Sequence, residues 1–400
     1  MRAPVRLGAA ETTLVAQLQL AGATAEAERL GVAGLPTRRV EAYHYTDLKT
    51  LLRTVPPLAA DATATGAPAL DIPGAYRLLV ANGRAQAHGT APAGVIVGTT
   101  KGGALTERDD VLVRLNSALA AETLTLTLEG TIDPVIQIDR RTEGDAAHAP
   151  SSARIFLADG AAATIIETFS GSAAAHVSNH GSFVQLGKGA RLTHITIDLS
   201  PRPATHFATT EYEIGADAQL RTLTIHAGAG LERTQLFARF GGEGAHADFT
   251  GLNLAAEGQH ADITLEARHA KGHCTCKPLY KQIARGRSRA VFQGKIVVER
   301  DAQKTDAKLM MQGLMLSDEA EILSKPELEI FADDVVCGHG STCGKLDEDS
   351  MFYLMSRGVP EAEAETMLVR GFIAELLDPI ENEPLNEALQ GVVDQWLEAR

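Results

Sequence analysis

The spacing of hydrophobic residues changes along this chain. Between residues 10 and 31, Leu14, Val15, Leu18 and Leu30 fall roughly on one face, with Glu26, Glu28 and Arg29 off it. That period predicts a helix, with Gly31 as its terminator. Tyr43, His44 and Tyr45 then follow the basic pair Arg38-Arg39, either as a ligand surface or as a join pinned by aromatic packing. Residues 56 to 75, rich in Pro, Ala, Gly and Thr, read as a loop or linker. Leu78-Leu79-Val80 before Asn82-Gly83 reads as a strand entering a tight turn. Asp110 to Ala121 reads as a helix with Val111, Leu115 and Leu119 on one face.

From about residue 123 the period becomes two. Leu124, Leu126 and Leu128 alternate with threonines, and Val135 to Ile138 follow Pro134. A repeat then emerges. Gly160-Ala161, Gly189-Ala190, Asp217-Ala218 and Gly244-Ala245 each precede an alternating segment, and the alanines recur at intervals of 29, 28 and 27 residues. Turn chemistry at one phase of a near-constant period predicts a solenoid, and short strands joined by tight turns predict a parallel β-helix. A β-sandwich of regular hairpins is the alternative. Asp301 to Ala307 suits a stacked polar turn of such a solenoid.

After Gly344 the pattern is helical again. Asp347 to Asp349 start one helix and Gly358 ends it, Pro360 opens a second with Met367, Leu368, Phe372, Ile373 and Leu376, and Pro384 opens a third with Leu385, Leu389, Val392, Val393 and Trp396. This tail is expected to cap the open end of the solenoid or to meet a partner. The organisation expected is mainly β: residues 1–122 helical and mixed, 123–345 the parallel β-helix, 346–400 helical.

Composition narrows the function. Aromatics are only 4%, which suits tightly stacked coils, and a net charge of −14 argues against nucleic acid or an anionic membrane as partner. No apolar run reaches the roughly 20 residues that span a bilayer, and Met1 to Gly8 leads into no long apolar core, so neither a membrane span nor a secretory signal is expected. Four cysteines in 400 residues are too few for a disulfide scaffold, so a cytoplasmic location with reduced thiols is expected.

Candidate chemistry gathers late in the chain. Cys337-x-His339-x3-Cys343 sets two thiols and an imidazole among three glycines. It reads either as a metal or cluster ligand site, whole or shared with a second chain, or as a glycine-rich turn with two small thiols. The spacing is that of neither a zinc finger nor a ferredoxin. His273-Cys274-Thr275-Cys276 is a second soft-ligand group, and in a strand Cys274 and Cys276 share a face. His176-x3-His180 lies among Gly, Ser and Asn and reads as surface. A basic band from Lys277 through Lys281, Arg285, Arg287, Arg289 and Lys295 to Arg300 reads as a solvated face or, in an otherwise acidic chain, as the mark of an acidic partner. No Gly-x4-Gly-Lys-Ser/Thr loop is present.

Several of these blocks resemble the SufB/SufD family of iron–sulfur cluster assembly scaffolds. They are Val291 to Val298, Asp301 to Ala307, Lys325 to Ile330, Cys337-x-His339-Gly340 and Phe352 to Gly358. Leu35 to Arg39 with Tyr45 to Leu48 is similar to the SufD branch. The resemblance implies a right-handed parallel β-helix between helical ends and a non-catalytic scaffold. It implies pairing with a SufB-like chain through the β-helix and with the ATPase SufC through the C-terminal helices, and a second copy of itself when alone. The cargo implied is a nascent iron–sulfur cluster, transient and shared with SufB, with help in iron acquisition. His339 is the cluster ligand that the resemblance implies, and His273-Cys274 matches a Gly-His-Cys of the family. Cys343 stands where the family has a small apolar residue, and Cys276 is also atypical. The reading from another class, a β-helix lyase or metal-dependent hydrolase, needs carboxylates or ligands clustered on one solenoid face.

Overall fold

The computed structural model describes residues 6–106, 108–172 and 174–399. Two long sheets face each other, and the chain crosses from one to the other and back. The first sheet runs from Tyr76–Ala81 through Ile136–Thr142, Ala162–Gly171, Arg191–Asp198, Gln219–His226, His246–Ala255, Leu279–Ala284 and Asp306–Met315 to Val336–Gly344. The second runs from Val95–Lys101 through Glu122–Leu128, His148–Leu157, Val177–Leu186, Thr205–Ile214, Leu231–Phe240, His260–His269 and Arg289–Val298 to Glu321–Ile330. Neighbours pair in parallel except at the N-terminal edges. This is the predicted β-solenoid, and the parallel register rules out the sandwich. Asn82-Gly83, both at positive φ, make the predicted tight turn, and it closes a hairpin to Arg84–Ala85.

The repeat has a stereochemical cause. Gly160, Gly189, Asp217, Gly244, His273 and Lys304 occupy one phase of successive coils, each at a φ between 55° and 73°. Each N–H donates to a carbonyl of the next coil, from Gly160 onto Lys188 up to Lys304 onto Asp334. The residue that follows, Ala161, Ala190, Ala218, Ala245, Cys274 or Thr305, is buried against its neighbours in the stack. The left-handed slot favours glycine, and the stack beneath it favours a small side chain.

The lumen has two halves. Near these turns it is apolar, with stacks such as Leu157, Leu186, Ile214 and Phe240. His269 continues that stack, lies flat on Phe240 at 4.1 Å, and among the described residues has no hydrogen bond at either ring nitrogen. At the opposite edge the lumen is polar. Arg140 and Glu167 pair at 2.6 Å with both side chains buried, and Glu167 also accepts from Ser182 and meets His194, which contacts the Tyr212 hydroxyl. His180 stacks on Phe169 and His206 lies tilted against it, and Asn253 donates to Gln282. His176 and His180 are both buried, so they are not surface residues; His180 meets the Ser151 hydroxyl of the preceding coil in this lumen.

The helices cover the flanks. The single helix predicted over 10 to 31 is two, α1 (Ala9–Leu20) and α2 (Thr24–Ala33), because Gly22 takes φ 76°. After the short α3 (Leu48–Leu51) comes α4 (Val111–Leu119), capped by Asp110. Leu14, Leu18, Leu30, Leu112 and Leu115 pack on Val177, Phe207 and Leu231 of the second sheet. Tyr43 is buried, donates to Asp110 and lies under Arg233, so aromatic packing pins this join. The tail forms α5 (Glu348–Ser356), α6 (Glu361–Leu377) and α7 (Glu383–Glu398). It does not cap the open end. Val369, Ile373, Leu376, Leu389 and Val393 cover Ile195, Ile197, Leu223, Ile225 and Leu254 on the outer face of the first sheet, the apolar stripe that most needs burial. The basic band is only partly solvated. Lys281 is buried against Glu375 and the Phe372 ring, and Arg285 stacks on Trp396 at 3.9 Å.

Two outcomes follow. His273 holds a left-handed conformation that costs a side chain about 1 kcal/mol, and its contact with the Glu243 carboxylate, at 3.8 Å, is exposed. Chemical denaturation of His273→Gly should show a gain of that order, and a loss would mean that the ring is held for another purpose. Burial depresses His148, His226, His260 and His269 to about 4. The unfolded chain therefore binds more protons between about pH 4 and 6.5, and stability falls as pH falls through that window. His269→Leu should raise stability by about 1–2 kcal/mol more at pH 5 than at pH 7.5. An equal change at both values would show that His269 does not contribute to the acid sensitivity.

Candidate functional site

The segment Val336–Gly344 is not a glycine-rich turn but the last strand of the first sheet, paired among the described residues with Asp306–Met315 alone. Its glycines need no left-handed backbone; Gly338, Gly340 and Gly344 alternate on the outer face, where a Cβ at Gly340 would meet Met310. The other face carries Cys337, His339, Ser341 and Cys343, stacked in register on Ala307, Leu309, Met311 and Gly313. Ala307, Leu309 and Met311 are buried lumen residues. Cys337 packs on that core, and Cys343 lies against the lumen side of Gly313. A row of polar and sulfur side chains thus tops stacks that are apolar beneath it.

No coil follows. The terminal strand is largely exposed, as are Ile330, Phe331 and Val336 beside it. Across the lumen the last strand of the second sheet, Glu321–Ile330, is only partly buried and also has one neighbour. Sequence reasoning missed Ser341 and this facing rim. The signal was the continued repeat: the phase of His246 recurs at Thr275, Asp306 and Val336.

The candidates separate by position. Lumen-facing residues of one strand lie about 7 Å apart, so Cys337 neighbours His339, while Cys343 is about 13 Å from it. Burial raises the Cys337 thiol, with Asp306 adding to the effect, and partial burial raises Cys343. His273 and Cys274 are not brought to this site. They lie two rungs below and at the turn, on the order of 15 Å from His339. Cys274 fills the small-residue phase of its coil, and its thiol donates to Gly242 O at 3.3 Å. Cys276 is buried in the stack of Ala247, Ala307 and Cys337, and burial pushes its thiol well up. Both are core thiols. Among the described residues, no three His, Cys, Asp or Glu side chains converge as a metal site.

Known proteins are similar to this chain in sequence. Residues 140–372 match the family model described as the SufBD core domain of the SUF system of FeS cluster assembly. The chain is 29% identical over 385 residues to the iron–sulfur cluster assembly protein SufD of Escherichia coli, covering 91% of this chain and 90% of that protein. It is 35% identical over 227 residues to a SufBD family iron–sulfur cluster assembly protein of Synechocystis, covering 56% of this chain and 49% of that one. No helix among the described residues is long and apolar enough to cross a membrane. A core match over more than half the chain, on a parallel solenoid whose last strand carries Cys337-x-His339-Gly340, makes this chain a member of the SufBD family of iron–sulfur cluster assembly proteins.

Proposed function

We propose that this chain is the SufD-like, non-catalytic subunit of a cytoplasmic three-part scaffold. A SufB-like chain docks on the open rim, and a nascent cluster is built between the two as cargo, aided by iron delivered through the same complex. A SufC-like ATPase on the C-terminal helices supplies the work. The observation that carries this reading is the row of Cys337, His339, Ser341 and Cys343 topping an apolar lumen with no further coil to bury it. His339 is the ligand this chain offers. Cys337, one position along, is the second donor within reach; Cys343 is too far to share an iron with His339. Thiolate ligation at Cys337 releases a proton from a thiol that burial holds protonated, so iron must drive it. The remaining ligands come from the docked chain.

The tail supports the second contact. Helix α5 buries none of its residues, and Phe352, Tyr353 and Met355 stand 74%, 57% and 45% exposed. An aromatic patch of this kind on a helix marks a docking surface.

The test uses the complex co-expressed with SufB- and SufC-like partners and purified without oxygen. His339→Ala should assemble yet hold roughly tenfold less iron and sulfide, and Cys337→Ser should lose less. A full cluster in the His339→Ala complex would place the site on the partner alone. Phe352→Ala with Tyr353→Ala should leave the unfolding midpoint unchanged and weaken capture of the ATPase by roughly thirtyfold, about 2 kcal/mol. Undiminished capture would put the ATPase elsewhere.

A further inference from the structure

The terminal strand is self-complementary. It runs from Val336 to Gly344, and its centre is Gly340. Val336 donates its N–H to Thr305 O at 2.8 Å, toward the preceding coil. Successive residues alternate, so the N–H and C=O groups of Cys337, His339, Ser341 and Cys343 face the free edge. An antiparallel copy of the same strand laid on that edge about Gly340 sets Cys337 opposite Cys343 of the copy, and His339 opposite its Ser341. Both pairs join edge-facing residues, as an antiparallel ladder requires, with Cα atoms about 5.5 Å apart. That separation lies in the range a disulfide spans.

The opposite rim agrees. Counting four residues back from Ile330, as Gly340 lies four on from Val336, brings the same two-fold axis to Pro326. Lys325 and Glu327 flank it, so each Lys325 faces the copy's Glu327. Pro326 has no N–H to give, which leaves the edge of the terminal strand as the one that pairs. Ile330, Phe331 and Val336, exposed at the mouth, would be covered by the copy.

The resemblance already implies a second copy of this chain when it is alone; we propose that the Cys337–Cys343 pairs which this register sets face to face, two per dimer, are a redox lock that closes the rim. The inference rests on the reading of this rim as a docking edge. A low-molecular-weight disulfide is the oxidant. One thiolate attacks it and expels a thiolate; the facing thiolate then attacks the mixed disulfide and expels the second. Two protein thiols are oxidised, one oxidant disulfide is reduced to two thiols, and two protons leave the protein. The locked dimer buries His339 and refuses the partner until it is reduced.

The full chain alone is incubated with oxidised glutathione, run on denaturing gels without reductant, and its linked peptides identified by mass spectrometry. A dimer linked between Cys337 and Cys343 is expected. C337S and C343S should each lose the covalent dimer entirely while still sedimenting as dimers, because each substitution removes one member of both pairs. Reduction should restore binding of the SufB-like partner. Linkage of Cys337 to Cys337, a single variant that still cross-links, or glutathionylated monomers only would overturn the proposal. A His339→Ala complex that lost its cluster beside such a failure would leave the scaffold reading standing; cross-linking beside an intact His339→Ala cluster would do the reverse.

Discussion

Each coil of the solenoid satisfies half of its backbone hydrogen bonds on the coil before it and half on the coil after it. The ladder runs in register from Tyr76 to Gly344, and the turn N–H groups repeat the arrangement from Gly160 to Lys304. A structure built by stacking has to stop somewhere, and its final coil cannot be satisfied by the same rule. Here the helices are spent on the flanks, where α1, α2 and α4 cover one sheet and α6 and α7 the other. The last strands of both sheets keep an open edge. The cluster chemistry proposed for this chain sits at that unsatisfied end.

The interior shows a related choice. Burying Arg140 against Glu167 costs desolvation that the pairing and added hydrogen bonds must offset. Burial alone would raise the Glu167 carboxyl; Arg140 and His194 beside it hold it far below the usual range. An aliphatic stack would be simpler, and the other half of the lumen uses one. The polar half ties side chains of successive coils together by direction as well as by contact, through Ser182, His194, Tyr212 and Ser151. Directional bonds of that kind oppose a slip in register, which a stack of alanines and leucines tolerates.

Much of this was legible. The Gly/Asp-Ala phase showed a solenoid because two separate demands, a left-handed turn and a small buried neighbour, fall on adjacent residues of every coil. The pattern faded at His273-Cys274 and Lys304-Thr305, where other residues meet the same demands, so the last coils were hidden and His273-Cys274 looked like chemistry. The terminal strand was hidden for a different reason. Alternation marks a strand when one face is apolar, and here the lumen face holds Cys, His, Ser and Cys because no coil covers it. His176 and His180 looked like surface because a polar lumen and a polar exterior are the same in sequence. The tail was legible as helices, but its site was not; Lys281 and Arg285, read as solvated charges, are the residues that meet Phe372 and Trp396.

Residue-resolved hydrogen exchange on the reduced chain, alone at high dilution and then in complex with the proposed SufB-like partner, tests the central claim most directly. Amides of Gly338, Gly340 and Thr342 face the preceding coil and should be protected in both states. Amides of Cys337, His339, Ser341 and Cys343 face the free edge and should exchange fast alone and slowly in the complex. If those four stay fast in the complex while protection rises on a flank, the open rim is not where the partner docks, and the cluster site cannot be there.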